Sequence, residues 1–93
     1  MKNEFIFSSA IIKQPKGYSA LCLDLDVASN GATPEQAQRA LYEAVTLYLE
    51  TAFENNLPHL RPVPRDQDPR FQNPDSILQT FNLRVDFKIQ AHA

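Results

Sequence analysis

The sequence predicts an α+β domain in two layers: strand, strand, strand, helix, strand, with one long helix packed on an antiparallel or mixed sheet. Three observations carry this. Residues 4–25 hold two strand-like runs parted by a turn signal, Gln14-Pro15-Lys16-Gly17. From Thr33 the apolar residues recur at three- and four-residue steps, as on a helix face. From Thr80 they alternate strictly, as on a half-buried strand. A chain of 93 residues is the length of one domain, so 1–93 is read as a single unit.

The first strand is EFIFSSAIIK, residues 4–13, rich in Phe and Ile. The second is YSALCLDL, residues 18–25, in which Leu21, Leu23 and Leu25 take one face and Tyr18, Ala20, Cys22 and Asp24 the other. The short link makes the two antiparallel. A brief third strand fits between Asp26 and Asn30, closed by Asn30-Gly31.

The helix start is written in side-chain chemistry. Thr33 suits the N-cap, Pro34 the first helical position, and Gln36 the reciprocal place of a capping box. Ala37, Ala40, Leu41, Ala44, Val45, Tyr48, Ala52 and Phe53 then form one apolar face, and the helix runs to about Asn55-Asn56, ahead of Pro58. Residues 57–79 carry five of the seven prolines and are expected to be a long loop without regular structure. In the last strand Phe81, Leu83, Val85, Phe87 and Ile89 alternate with polar residues.

A domain this small buries only about 60% of the surface its unfolded chain exposes. Pairing with a second copy would add to a thin core, so a homo-oligomer is expected. The net charge is −2, which argues against a protein built to hold nucleic acid. Cys22, the sole cysteine, has no partner for a disulfide and reads as a small buried filler. No apolar run approaches the ~18 residues of a membrane span or has the form of a signal peptide, so a cytoplasmic location and no membrane contact are expected.

The stretch CLDLDVASNGATPEQA carries the one suggestion of chemistry. On a strand, Asp24 and Asp26 would share a face and could hold a cation between them. A calcium loop nevertheless fails in either register: from Asp26 the third position is Ala28 and the twelfth Ala37, and from Asp24 the fifth and sixth are Ala28 and Ser29. His59 and His92 have no telling neighbours, two glycines cannot build a phosphate loop, and Ser8 and Ser9 lack the setting of a nucleophile. The reading is no enzyme, no metal and no cofactor. Phe5, Phe7 and Tyr18 on a sheet face are read as core rather than as base-stacking residues.

Gly17 to Glu50 resembles the HicB-type antitoxin family. The resemblance rests on Gly17-Tyr18 opening a strand, Asp24-Leu25-Asp26 at the turn, Gly31-Ala32-Thr33 with Gln36-Ala37 at the helix head, and Leu47-Tyr48-Leu49-Glu50 at its end. It implies a partial ribonuclease-H-like fold without nuclease function. It also implies an antitoxin role in a bacterial type II toxin–antitoxin system, by direct binding of a small RNA-cleaving toxin. Such a toxin would be basic, so Asp24 and Asp26 are the candidate contacts, with Arg61, Arg65 and Arg70 of the loop beside them. The chain departs from the family in Asp26, where proline is common, and in the length of its loop. Family members often carry a C-terminal DNA-binding module. None is expected after the last strand here, so DNA binding by this chain alone is not anticipated. The alternatives are an orphan oligomeric domain with a nucleic-acid-binding role and a residual metal-dependent nuclease using Asp24 and Asp26.

Overall fold

The computed structural model describes residues 2–88, with side-chain surroundings for residues 4–86; Ile89 and His92 lie outside the described residues. Four strands, β1 (Lys2–Gln14), β2 (Gly17–Cys22), β3 (Val27–Gly31) and β4 (Ile77–Lys88), form one sheet in the order β3-β2-β1-β4. Every pairing is antiparallel. Helix α1 (Pro34–Glu54) covers one face of the sheet.

The elements arise where their side chains can be buried. Ala37, Leu41, Val45, Leu49 and Ala52 are the buried stripe of α1, each three or four residues from the last. Across from them the sheet supplies Phe7 and Ile11 of β1, Ala20 and Cys22 of β2, and Leu83 and Val85 of β4. Burying each larger aliphatic side chain contributes about 1.5–3 kcal/mol. Phe5 and Tyr18 pack against this cluster and Phe7 lies within it, so these rings are core. Cys22 is a fully buried free thiol, and burial pushes its pKa up. Leu49, absent from the expected stripe, lies inside it, whereas Ala40 and Ala44 lie at its margin.

The second strand differs from expectation. It ends at Cys22, and Leu23 to Asp26 form a turn. Ala20 and Cys22 point to the helix, while Leu21 is only partly buried on the opposite face. Leu25 is buried from the turn itself. The three leucines therefore do not form one strand face.

The helix start follows its sequence chemistry, with one adjustment. The Thr33 hydroxyl accepts from the Gln36 amide at 3.1 Å, but Gln36 Oε1 accepts from the Ala32 amide, one residue earlier than in a standard box. Gly31 is needed because β3 runs directly under this helix end: a Cβ there would lie 2.4 Å from the Ala37 nitrogen. Gly17, at φ +111°, turns the chain between β1 and β2.

The segment expected to lack regular structure has some. It holds a 3-10 turn at Arg65–Gln67, a one-turn helix α2 at Pro69–Gln72 and a second 3-10 turn at Pro74–Ser76. Proline is compatible with the first position of each such turn, where its missing N–H is not needed, and it occupies that place at Pro69 and Pro74. β4 also begins earlier than expected, at Ile77.

These contacts set an order of stability effects for urea unfolding. Thr33→Ala should cost about 1 kcal/mol for the lost cap, and Leu41→Ala about 2–5 kcal/mol for the cavity it leaves. Gly31→Ala should cost more than the cap, because the added methyl meets helix backbone rather than a movable side chain. A Gly31→Ala midpoint equal to wild type would show that the β3–α1 contact is looser than described.

Candidate partner interface

The site begins where two neighbouring strands have unequal length. β1 pairs with β4 from Lys2 to Ile12, but with β2 only from Ser9 to Gln14. At the point of departure the Leu23 amide still donates to the Ser8 carbonyl at 2.8 Å. The chain then turns, with Asp26 N–H donating to the Cys22 carbonyl at 2.9 Å and Asp26 itself at φ 54°. Aspartate is among the few residues that tolerate this conformation. Asp24 replaces the missing strand: its Oδ2 accepts from the Ser8 amide at 2.7 Å. The two aspartates therefore sit in a turn, not side by side on a strand, and Asp24 serves the sheet.

Residues 57–76 form a strap that docks on this turn. The Arg61 amide donates to the Asp24 carbonyl at 3.0 Å and the Val63 amide to the Leu23 carbonyl at 2.9 Å. The Arg61 side chain spans the same turn, Nε donating to the Leu25 carbonyl at 3.3 Å and Nη2 to the Asp26 carbonyl at 3.4 Å. Its guanidinium lies 5.3 Å from the Tyr48 ring centre. The Tyr48 hydroxyl in turn donates to the His59 carbonyl at 2.8 Å. The His59 ring meets those of Phe5 and Phe53, with centroids 5.8 and 5.2 Å away. Helix, turn and strap are thus joined through two polar side chains and a cluster of rings.

Farther along, Asp68 organises the strap. It is only 2% exposed. Its Oδ1 caps α2 by accepting from the Arg70 amide at 2.9 Å, and its Oδ2 accepts from Arg70 Nη2 at 2.6 Å. The Arg70 hydrogen bonds hold the Asp68 carboxyl below its usual range, against the opposing effect of burial. The Arg70 guanidinium is raised mainly by Asp68, with a smaller contribution from the charge of Asp24. Arg65 lies over the Phe71 ring at 4.5 Å, and Gln72 Nε2 donates to the Arg65 carbonyl at 3.1 Å.

The structure therefore brings Arg61 onto the backbone carbonyls of Asp24 and Asp26 and places Arg70 within the field of Asp24. Arg65 stands on the outer side of the strap with Phe71. Ser8, Leu23, Arg70, Thr80 and Asn82 border a recess of about 340 Å³ between strap and sheet. Leu57, Leu60 and Phe71 of the strap are all more than half exposed. Among the described residues no group of three or more His, Cys, Asp or Glu side chains is gathered to hold a metal ion. The surface offers an arginine-flanked aromatic ring, exposed leucines and acids at a fixed turn, which are the materials of a protein contact.

Sequence reasoning missed Ser8, Tyr48, His59, Asp68 and Phe71. One signal was readable: Asp68-Pro69 is a helix-start pair. Tyr48 sat in the apolar stripe, and nothing in its spacing marks the hydroxyl's partner eleven residues on.

A four-stranded antiparallel sheet with one helix on its face, and a strap from helix to last strand, is the class to which this fold belongs. No family model and no curated protein sequence matches the chain. Among solved structures it is similar to a chain of one described as a HicA3 and HicB3 toxin-antitoxin complex, at TM-score 0.56 and 18% identity, over 94% of this chain and 100% of that one. The likeness is one of fold, and the element order is the one the HicB-type resemblance implied. No helix among the described residues is long and apolar enough to cross a membrane.

Two measurements test the roles assigned here. Asp24→Ala removes the acceptor of the exposed Ser8 amide, which water can then reach, and should cost about 0.5–1 kcal/mol, whereas Asp24→Asn keeps an acceptor oxygen and should cost less. Equal losses would mean that charge, not the hydrogen bond, holds the turn. For Asp68 the folded pKa is depressed, so its contribution is present above the ordinary carboxylate value, about 3.9, and is lost as pH falls through the folded value. Arg70→Gln removes the cause of that depression. The urea midpoint of the variant should therefore lie below that of wild type at neutral pH and fall less on acidification below about pH 4, the two profiles converging in acid; an acid decline parallel to that of wild type would refute the pairing.

Proposed function

We propose that this chain is a non-enzymatic, cytoplasmic antitoxin-like domain that neutralises a small RNA-cleaving toxin by covering it. The observation that carries the proposal is the fold shared, over 94% of the chain, with a chain of a toxin–antitoxin complex. The site's character supports it. Asp24 and Asp26 present acids at a turn held from two sides, suited to a basic surface built to grip RNA. Arg61 fixes that turn against α1. Arg65 and Arg70, both over Phe71, frame an aromatic anchor of the kind that dominates protein interfaces. The partial ribonuclease-H-like description and a bacterial source belong to this same reading.

The test is to read what is encoded directly beside this chain's gene and to co-express any small basic protein found there; the absence of one removes most of the support for the proposal. The two should co-purify, and the neighbour's RNA cleavage should stop when this chain is in excess. Arg65→Ala with Phe71→Ala should weaken the complex by about 2 kcal/mol, some thirtyfold, without unfolding the sheet. Asp26→Lys should weaken it by about tenfold through charge reversal. If the neighbour cleaves RNA equally fast with and without an excess of this chain, the proposal fails.

A further inference from the structure

β4 is the margin of the sheet, paired with β1 on one side and with no strand on the other among the described residues. It is a long edge, running from Ile77 to Lys88. Exposed edges of this kind invite pairing, and proteins guard them with proline, bulges or inward charges. β4 carries no proline, and its core-facing positions Phe81, Leu83 and Val85 are apolar. The one irregularity in its ladder lies near its start, opposite Ile11 and Ile12. The half from Phe81 onward has neither proline nor bulge, and its charged residues, Arg84, Asp86 and Lys88, are of both signs, so they block a like-charged strand but not a complementary one.

The same half carries an electrostatic imbalance. Glu4 of β1 stands directly opposite Asp86 of β4, and like charges in that position repel. Among the described side chains the cation beside them is Arg84, whose Nε lies 3.8 Å from Glu4 Oε1, with both groups largely in water. Asp86 thus stands opposite an acid, and the ion pair of Arg84 among the described side chains is made with Glu4.

We infer that β4 pairs edge to edge with β4 of a second copy, antiparallel about a two-fold axis through Val85. That register places Arg84 opposite the second copy's Asp86, and Asp86 opposite the second copy's Arg84. Val85 meets Val85, and Leu83 comes opposite Phe87 by sequence, so apolar residues meet apolar ones and charged residues meet charged ones. Other centres do worse. Centring on Arg84 sets two arginines against each other, and centring on Leu83 or Asn82 leaves both charged residues opposite uncharged ones. The interface is isologous, as a two-fold requires. A groove of about 540 Å³ runs beside this edge, lined by Glu35, Arg39 and Tyr42 of α1 and by Leu83 and Arg84 of β4. It gives the core-side residues of an added strand a place to go, while main-chain hydrogen bonds supply the pairing. This inference stands apart from the antitoxin proposal and uses none of its residues.

Charge exchange tests it. Arg84→Asp alone and Asp86→Arg alone should each weaken self-association at least tenfold, two cross-strand charge pairs having become repulsive. The first substitution leaves two acids on the edge and the second leaves two arginines. Mixed together, the two variants should recover association as a one-to-one heterodimer, because each acid of one edge then stands opposite an arginine of the other. Sedimentation equilibrium on wild type, each variant and the mixture reads all four states, and circular dichroism confirms that each variant is folded. Heterodimer formation by the mixture, with both single variants weakened, supports the inference. A wild type that stays monomeric at the highest soluble concentration overturns it. So do single variants as dimeric as wild type, or a mixture no more associated than its components.

Discussion

The hydrogen bond from the Ser8 amide to the Asp24 carboxylate marks the constraint on which the candidate site depends. A sheet whose central strand outruns one neighbour must satisfy the backbone that the shorter strand abandons. β2 leaves β1 after Ser9, so the Lys2–Ser8 half of β1 has β4 on one side only. Asp24 answers the first orphaned amide. Its own backbone carbonyl, and that of Leu23, then become acceptors for the strap. The strap lies where it does because the turn offers these carbonyls, and the turn exists because the strand ends early.

The strap also completes the core over the open half of β1. The stripe of α1 ends at Ala52, and beyond it Phe53, Phe5 and His59 pack ring against ring. Tyr48 ties this cluster to the turn, with its hydroxyl on the His59 carbonyl and its ring beneath Arg61. A proline-rich segment suits the task. It resists both helix and sheet, so its remaining amides are free to meet the turn at Arg61 and Val63. The buried Asp68 then fixes its far half, which leaves Arg65 and Phe71 outward and held.

Elements whose signals are local were legible in the sequence. Thr33, Pro34 and Gln36 marked the start of α1, and the three- and four-residue spacing marked its buried side. The alternation from Phe81 to Val85 gave the inner face of β4. What could not be read depends on partners distant in sequence. Leu21, Leu23 and Leu25 alternate perfectly, yet the strand stops at Cys22, because the ladder, not the alternation, ends it. No Gly or Pro announces the turn; Asp26 takes the left-handed conformation instead. For the site, residue types pointed to Asp24, Asp26 and the three arginines. Their division of labour followed only from contacts such as Arg61 with Leu25, thirty-six residues apart.

The two surfaces make different physical demands, although they adjoin at Asn82, which borders both the recess under the strap and the groove beside β4. Edge pairing extends a sheet in its own plane through backbone groups, so it consumes an edge and leaves the faces open. A partner seated on the strap uses side chains at the β2–β3 turn and beside Phe71, and it needs no free edge. β3, at the far margin, is short and lies under α1, so it is poorly suited to extension. β4 is long and bordered by a groove. A pair joined through β4 would therefore present two turn-and-strap sites, one on each side of the axis. It would bring together two thin cores along an edge that carries none of Asp24, Asp26, Arg61, Arg65, Arg70 or Phe71, so a small domain would gain buried surface without drawing the residues of the proposed contact into the seam.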